Sequence, residues 1–214
     1  MSHRFDECYQ EDAVLTDGTR IHMRLVRADD KALMREAWDR VSSESRYRRF
    51  LCAKSALSDA ELRYLTELDN ENHVAIGASW RRDGVEQAIG VARFIRLRDR
   101  PGAAEPAIVV TDDAQGRGLG RLLLTRLAAA AIERGVERFV CDVLASNDAM
   151  RALLHELAPG AVEHAEGGVL SVEMPLAEVA EALEPAASSD SPLRRLLRLF
   201  AEGALRLRET LTKL

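Results

Sequence analysis

The stretch Val109-Val110-Thr111-Asp112-Asp113-Ala114-Gln115-Gly116-Arg117-Gly118-Leu119-Gly120-Arg121 decides how this chain folds. A β-branched run passes through a short loop into a segment with leucines at helical spacing, and three glycines stand at alternate positions where that helix begins. Glycine there removes the Cβ that would hold a ligand off the backbone, and a helix N-terminus supplies unpaired N–H donors with partial positive charge. A phosphate is the natural guest. Arg117 and Arg121 sharpen this, because cations at a helix N-terminus oppose the macrodipole by a few tenths up to about 1 kcal/mol. An anion docked between them reverses the sign. The plainer reading is a tight turn at 116–120 with Asp112 and Asp113 offsetting the arginines, but three glycines beside two arginines are costly helix chemistry without a ligand. The spacing G-x-x-x-x-G-K-[ST] is absent, and G-x-G-x-x-G fails because Arg121 and Leu123 stand where a third glycine would fall. A nucleoside-triphosphate or dinucleotide site is therefore disfavoured.

Upstream of this stretch, residues 19–26 alternate with Ile21, Met23 and Leu25 on one face, which predicts a strand. Helical patterns follow over 29–40, 42–50 and 58–68, the last opening on a capping box, Ser58-x-x-Glu61. Strands are expected over 73–80 and 87–97, joined by the turn cluster Arg81-Arg82-Asp83-Gly84, and over 104–111. A helix over 118–134 carries Leu119, Leu122, Leu123, Leu127 and Ala130 on one stripe and ends at Gly135. A strand over 138–143, a helix over 147–157 and a terminal antiparallel pair at 162–163 and 168–174 complete an α+β sheet domain. The expected organisation is an N-terminal extension (1–18) with a polar, frayed start, a domain over 19–175, and a linker and helical tail over 176–214.

Of 214 residues, 47% are hydrophobic and 30% charged, with 13 Gly and 6 Pro, the composition of a folded chain with a sizeable core. The net charge of −5 gives no general attraction for nucleic acid or anionic lipid, so no nucleic-acid partner is expected. That value averages unlike parts. Residues 191–214 hold six basic and two acidic residues, a balance of +4, and the remainder carries −9. Leu193, Leu196, Leu197, Phe200, Ala204, Leu207, Leu211 and Leu214 make this tail a basic amphipathic helix. Its apolar face either docks on its own domain or forms a homodimer contact, with membrane-surface binding a lesser alternative. No apolar run reaches the roughly 20 residues of a membrane span, and the first ten residues lack a signal-peptide core, so a cytoplasmic address is expected. Cys8, Cys52 and Cys141 are widely spaced, and none of the five histidines falls at metal-ligand spacing, so no metal site is expected.

Gln115, Gly118 and Gly120 match Q-x-x-G-x-G behind a strand ending Ile108-Val109-Val110, which resembles the acetyl-CoA signature of the GNAT N-acetyltransferase superfamily. The likeness extends over most of 20–174. It implies the GNAT fold, with a mixed central sheet of about six to seven strands flanked by helices, and acetyl-CoA as co-substrate. It also implies that Ile108, Val109 and Val110 run alongside the pantetheine arm, that Gln115, Gly116, Arg117, Gly118, Leu119, Gly120 and Arg121 form the pyrophosphate site, and that Asn147 contacts the arm while capping its helix.

A narrower similarity rests on Asp17-Gly18-Thr19, Arg27-Ala28-Asp29-Asp30, Ser43-Glu44-Ser45-Arg46-Tyr47-Arg48-Arg49-Phe50 and Leu57-Ser58-Asp59-Ala60-Glu61-Leu62. These look like the GNAT domain of bacterial protein-lysine acetyltransferases, in which a glutamate on the strand before the cofactor loop is the general base. Glu105 occupies the matching place, and on an apolar strand it is expected to be half-buried; its bland role is a rim partner for Arg93 or Arg96. Pro106 departs from the pattern and implies a bulge or an edge position. The family's tyrosine seven residues after Asn147 is replaced by Leu154, leaving Ser146, His155 or water as the general acid. The resemblance implies direct acetyl transfer to a small-molecule amine or a protein lysine in a ternary complex, with a backbone N–H near Val110 stabilising the oxyanion; Cys141, on an apolar strand, reads as core and not as a nucleophile. The alternative is a non-catalytic acyl-CoA sensor that engages a partner through its tail.

Overall fold

The computed structural model describes residues 3–50, 55–177 and 179. Among them eight strands form one sheet: β1 (Gln10–Val14), β2 (Arg20–Leu25), β3 (His73–Arg82), β4 (Val85–Arg96), β5 (Ala103–Val110), β6 (Arg138–Leu144), β7 (Val162–Glu166) and β8 (Val169–Pro175). The order across the sheet is β1-β2-β3-β4-β5-β6-β8-β7. All neighbours are antiparallel except β5 and β6, which run parallel. A parallel pair needs a crossover, and the long helix over Leu119–Glu133 supplies it. The expected six to seven strands are thus corrected to eight.

The added strand is β1, inside the segment expected as an extension. Its sequence, Gln-Glu-Asp-Ala-Val, lacks apolar alternation; it becomes a strand because the edge of β2 offers partners from Gln10↔Arg24 to Val14↔Arg20. The frayed start is also corrected. Phe5 and Tyr9 are 1% and 5% exposed, with rings 4.6 Å apart. Arg134 donates to the Phe5 carbonyl at 2.7 Å, and Arg126 Nε donates to Glu11 at 2.8 Å, which fastens this segment to the crossover helix. At the other end of the domain, Leu176 and Val179 are buried.

Three helices, α1 (Lys31–Asp39), α2 (Ser43–Phe50) and α3 (Asp59–Thr66), lie between β2 and β3 in the chain. The capping box is present, with Glu61 N–H donating to Ser58 Oγ and Ser58 N–H to Glu61. After β5 come a single 3-10 turn (Asp112–Ala114) and α4 (Leu119–Glu133), and after β6 comes α5 (Asp148–Leu157). Leu119, Leu123, Leu127, Ala130 and Ala131 of α4 are buried, each leucine contributing roughly 1.5–3 kcal/mol. A Cβ on Gly90 would meet Leu123 Cδ1 and the Val109 carbonyl at 3.1 Å, so glycine lets α4 approach the sheet this closely. Gly135, at φ 72°, ends the helix as expected, with Val136 N–H donating to Ala131. The turn Asp83-Gly84 (φ 52° and 78°) joins β3 to β4, and Gly167-Gly168 (φ 57° and 84°) joins β7 to β8. The basic amphipathic helix expected over 191–214, with its homodimer contact, lies outside the described residues.

Candidate functional site

The site is set by how β5 and β6 part. Among the described residues they pair only at Ala103↔Arg138 and Ala104↔Phe139. Beyond Ala104, β5 remains laddered to β4 as far as Gly90↔Val110, while β6 continues against β8 to Leu144↔Val169. The two strands therefore diverge, and the backbone of β5 from Glu105 to Val110 faces a gap. Unpaired strand backbone is a ready partner for an extended amide-bearing ligand.

Glu105 is the first residue past the last β5–β6 pair, and it is exposed. The half-buried setting expected for it is corrected: the strands part at this position and solvent reaches the carboxylate. Its claim to a role rests on position rather than burial. Pro106 stands opposite Phe94 in an unbroken β4–β5 register, so the bulge is not here. Instead β5 has become an edge toward β6, which a residue without an N–H tolerates. The register shift of the sheet lies at Ala78/Ser79 against β4. Arg93, one of the residues considered as a partner for Glu105, is 5% exposed, donates to the Leu65 carbonyl at 3.3 Å and lies 3.2 Å from His73 Nε2. Burial, then the Arg93 charge, push the His73 imidazole down to about 4. Arg96 donates to the Pro101 and Arg134 carbonyls at 2.5 Å each.

The glycine loop has the backbone its sequence demands. Gly116 (φ 70°) and Gly118 (φ 81°) are left-handed, and Gly118 precedes α4 with no side-chain cap on the helix N-terminus. A Cβ on Gly120 would meet Ile108 Cδ1 and Leu153 Cδ2 at 3.8 Å, so α4, α5 and β5 converge there. Gln115 Nε2 donates to the Val110 carbonyl at 3.1 Å, to Asp112 at 3.2 Å and to Ser45 Oγ at 3.2 Å. Asp112 also accepts from Ser42 N–H and Ser45 Oγ. Burial raises its carboxyl, but the Ser42 and Ser45 donors outweigh this and hold it below the usual range. Asp113 lies 3.5 Å from Arg40 and 3.7 Å from Arg82. Neither aspartate answers the arginines of the loop. Arg117 pairs with Asp17 at 2.6 Å, and Arg121 with Glu156 at 2.8 Å. Both guanidinium groups are drawn to the flanks, which leaves backbone N–H groups and the uncapped α4 terminus at the centre of the loop.

Sequence reasoning missed the turn after β1. Thr16 N–H donates to the Arg117 carbonyl at 3.1 Å, and a Cβ on Gly118 would lie 3.1 Å from Thr16 Cγ2. The Asp17-Gly18 dipeptide is a turn signal, but nothing local shows what the turn rests against. Asn147 caps α5, accepting from Met150 N–H at 3.3 Å. Leu154 is buried, Ser146 is exposed, and His155 lies 3.3 Å from Glu163 on the surface. Burial first, then Asp142 and Glu105, push the Cys141 thiol up to about 12, which suits a residue that takes no part as a nucleophile.

The mixed sheet opens at its one parallel pair among the described residues, with a glycine loop and an uncapped helix terminus beside the opening. The chain belongs to the GNAT acetyltransferase family, whose family model matches residues 32–158, and it is an N-acetyltransferase. It is 31% identical over 139 residues to an acetyltransferase of Pseudomonas aeruginosa, covering 65% of this chain and 74% of that one. It is 36% identical over 137 residues to acetyltransferase Pat of Mycolicibacterium smegmatis, covering 63% of this chain but only 40% of that longer protein. The GNAT domain of S. lividans PAT superposes with a TM-score of 0.69 at 30% identity, over 78% of this chain and 96% of that domain. The similarity to bacterial Pat-type acetyltransferases is thereby borne out. A Salmonella typhimurium acetyltransferase solved with acetyl-CoA shares the fold, at 20% identity and a TM-score of 0.57 over 73% of this chain and 94% of that one. Among the described residues no helix is long and apolar enough to cross a membrane.

Proposed function

We propose that this enzyme transfers acetyl from acetyl-CoA to the side-chain amine of a protein lysine, with Glu105 as general base. The observation that carries the reading is the place of Glu105: exposed, at the point where β5 and β6 part. An amine is mostly protonated near pH 7 and attacks a thioester only as the free base. A carboxylate at an open mouth takes that proton, directly or through one water, from an acceptor arriving out of solvent. This suits a side chain on the surface of another protein. The motifs shared with bacterial protein-lysine acetyltransferases support the same acceptor.

In this reading Ile108, Val109 and Val110 align the pantetheine arm along the unpaired edge of β5. The loop Gln115, Gly116, Arg117, Gly118, Leu119, Gly120 and Arg121 holds the pyrophosphate through backbone donors, and Asn147 meets the arm from the β6 side. A backbone N–H near Val110 steadies the oxyanion as the new N–C bond forms and the thioester C–S bond breaks. Leu154 has no proton to give and His155 is occupied by Glu163, so the departing thiolate takes its proton from water or Ser146.

The test is release of free thiol from acetyl-CoA with a panel of lysine peptides and small amines. Turnover on lysine peptides, lowered at least a hundredfold in Glu105→Gln, is expected. Turnover confined to small amines overturns the lysine acceptor. Tight acetyl-CoA binding with no turnover on any acceptor overturns the enzymatic assignment and leaves an acyl-CoA sensor.

A further inference from the structure

Ile108 faces α4, so strand alternation places Glu105, Ala107 and Val109 on the opposite face of the sheet. On that face a cavity of about 100 Å³ lies between the strands and α1. Leu33, Met34 and Ala37 of α1 form one wall, Gly77 and Val91 the other, and Val109 borders it on the β5 side. Val109 belongs to the segment assigned to the pantetheine arm, so the cavity begins beside the place where the thioester would lie.

The lining is mostly apolar, and the charges at its rim already have partners. Arg24 forks onto Asp30 through two bonds of 2.7 Å. Glu86 accepts from Ser79 at 2.8 Å, and Arg93 donates to the Leu65 carbonyl beside His73. An ammonium moved into this space would give up its water without gaining an uncommitted carboxylate. An aliphatic chain meets no such cost. The acceptor amine has its own route, since Glu105 is open to solvent.

We propose that this cavity receives the acyl chain of the donor, so that the enzyme uses thioesters longer than acetyl. A water-sized group needs only roughly 10–15 Å³ of such space, so the cavity has room for the three carbons that a butyryl chain carries beyond its carbonyl. The proposal rests on the acyltransferase reading of the site.

The experiment measures binding of acetyl- and butyryl-CoA to the full-length protein by calorimetry, with thiol release as a second readout. Each buried methylene is worth about fourfold, about 0.8 kcal/mol. Butyryl-CoA is therefore expected to bind about fifteenfold more tightly than acetyl-CoA. Gly77→Ala adds one methyl to the cavity, and its Cβ would meet Val26 Cγ2 at an ordinary 3.5 Å, so the variant is expected to fold. It should cut the butyryl-to-acetyl preference at least fourfold. Acetyl-CoA bound as tightly as butyryl-CoA overturns the cavity assignment and leaves the acetyltransferase reading intact. So does a preference that Gly77→Ala leaves unchanged. Binding of none of the thioesters overturns both.

Discussion

Replacing Gly118 with alanine tests whether the turn after β1 holds the glycine loop. Gly118 lies at φ 81°, ψ 0°, a conformation that costs an alanine about 1 kcal/mol more than glycine. The new Cβ would stand 3.1 Å from Thr16 Cγ2. Thr16 cannot simply retreat, because its N–H donates to the Arg117 carbonyl, a bond worth about 1 kcal/mol. The substitution therefore costs about 2 kcal/mol. Gly116 is the control: at φ 70° with nothing within 4 Å, Gly116→Ala carries only the conformational cost of about 1 kcal/mol. For a domain of this size 1 kcal/mol moves Tm by roughly 2–4 °C, so Gly118→Ala should lose about 4–8 °C and Gly116→Ala about half that. Where the loop shifts instead, the same 2 kcal/mol appears as up to about thirtyfold weaker acetyl-CoA binding. The assay is thermal unfolding with and without acetyl-CoA. Thr16→Ser in the Gly118→Ala background removes Cγ2 and should recover the steric half of the loss. Equal losses in the two alanine variants, with no recovery by Thr16→Ser, would refute the reasoning.

Glu105→Gln should lower kcat by about two orders of magnitude with the KM for acetyl-CoA unchanged, and steady-state kinetics showing a KM effect instead would place Glu105 in binding. Asn147→Ala removes a helix cap worth about 1 kcal/mol, a Tm loss of roughly 2–4 °C, whereas Asn147→Asp keeps an accepting oxygen and should hold Tm. If Asn147 also meets the pantetheine arm, Asn147→Asp raises the KM at unchanged Tm; an unchanged KM leaves it a cap alone. His73 titrates near 4 when folded against 6.5 when unfolded. The unfolded chain thus binds the proton first, and stability is lost as pH falls from about 6.5 toward 4. Urea midpoints at pH 7 and pH 5 should converge in His73→Gln, and an unaltered pH dependence would rule His73 out as the source.

Much of this protein was legible in short-range pattern. The glycine loop, the Ser58–Glu61 capping box, the helix end at Gly135 and the hairpin turn at Asp83-Gly84 are each set by backbone conformations and caps spanning a few residues, and the structure shows them where the sequence places them. The strand β1 was not legible, because an edge strand of Gln, Glu and Asp is held by its partner's hydrogen bonds and not by its own alternation.

The sequence by itself determined that a strand, a glycine-rich turn and an uncapped helix terminus would meet at one corner, since that depends on φ angles and unpaired N–H groups within about a dozen residues. Only the tertiary structure decided where the charges around that corner go. Arg117 answers Asp17, a hundred residues earlier, and Arg121 answers Glu156 on another helix. Only the tertiary structure, too, decided that Glu105 meets solvent, because its exposure depends on where β6 leaves β5. Such contacts arise between residues brought together by packing, and no local periodicity encodes them.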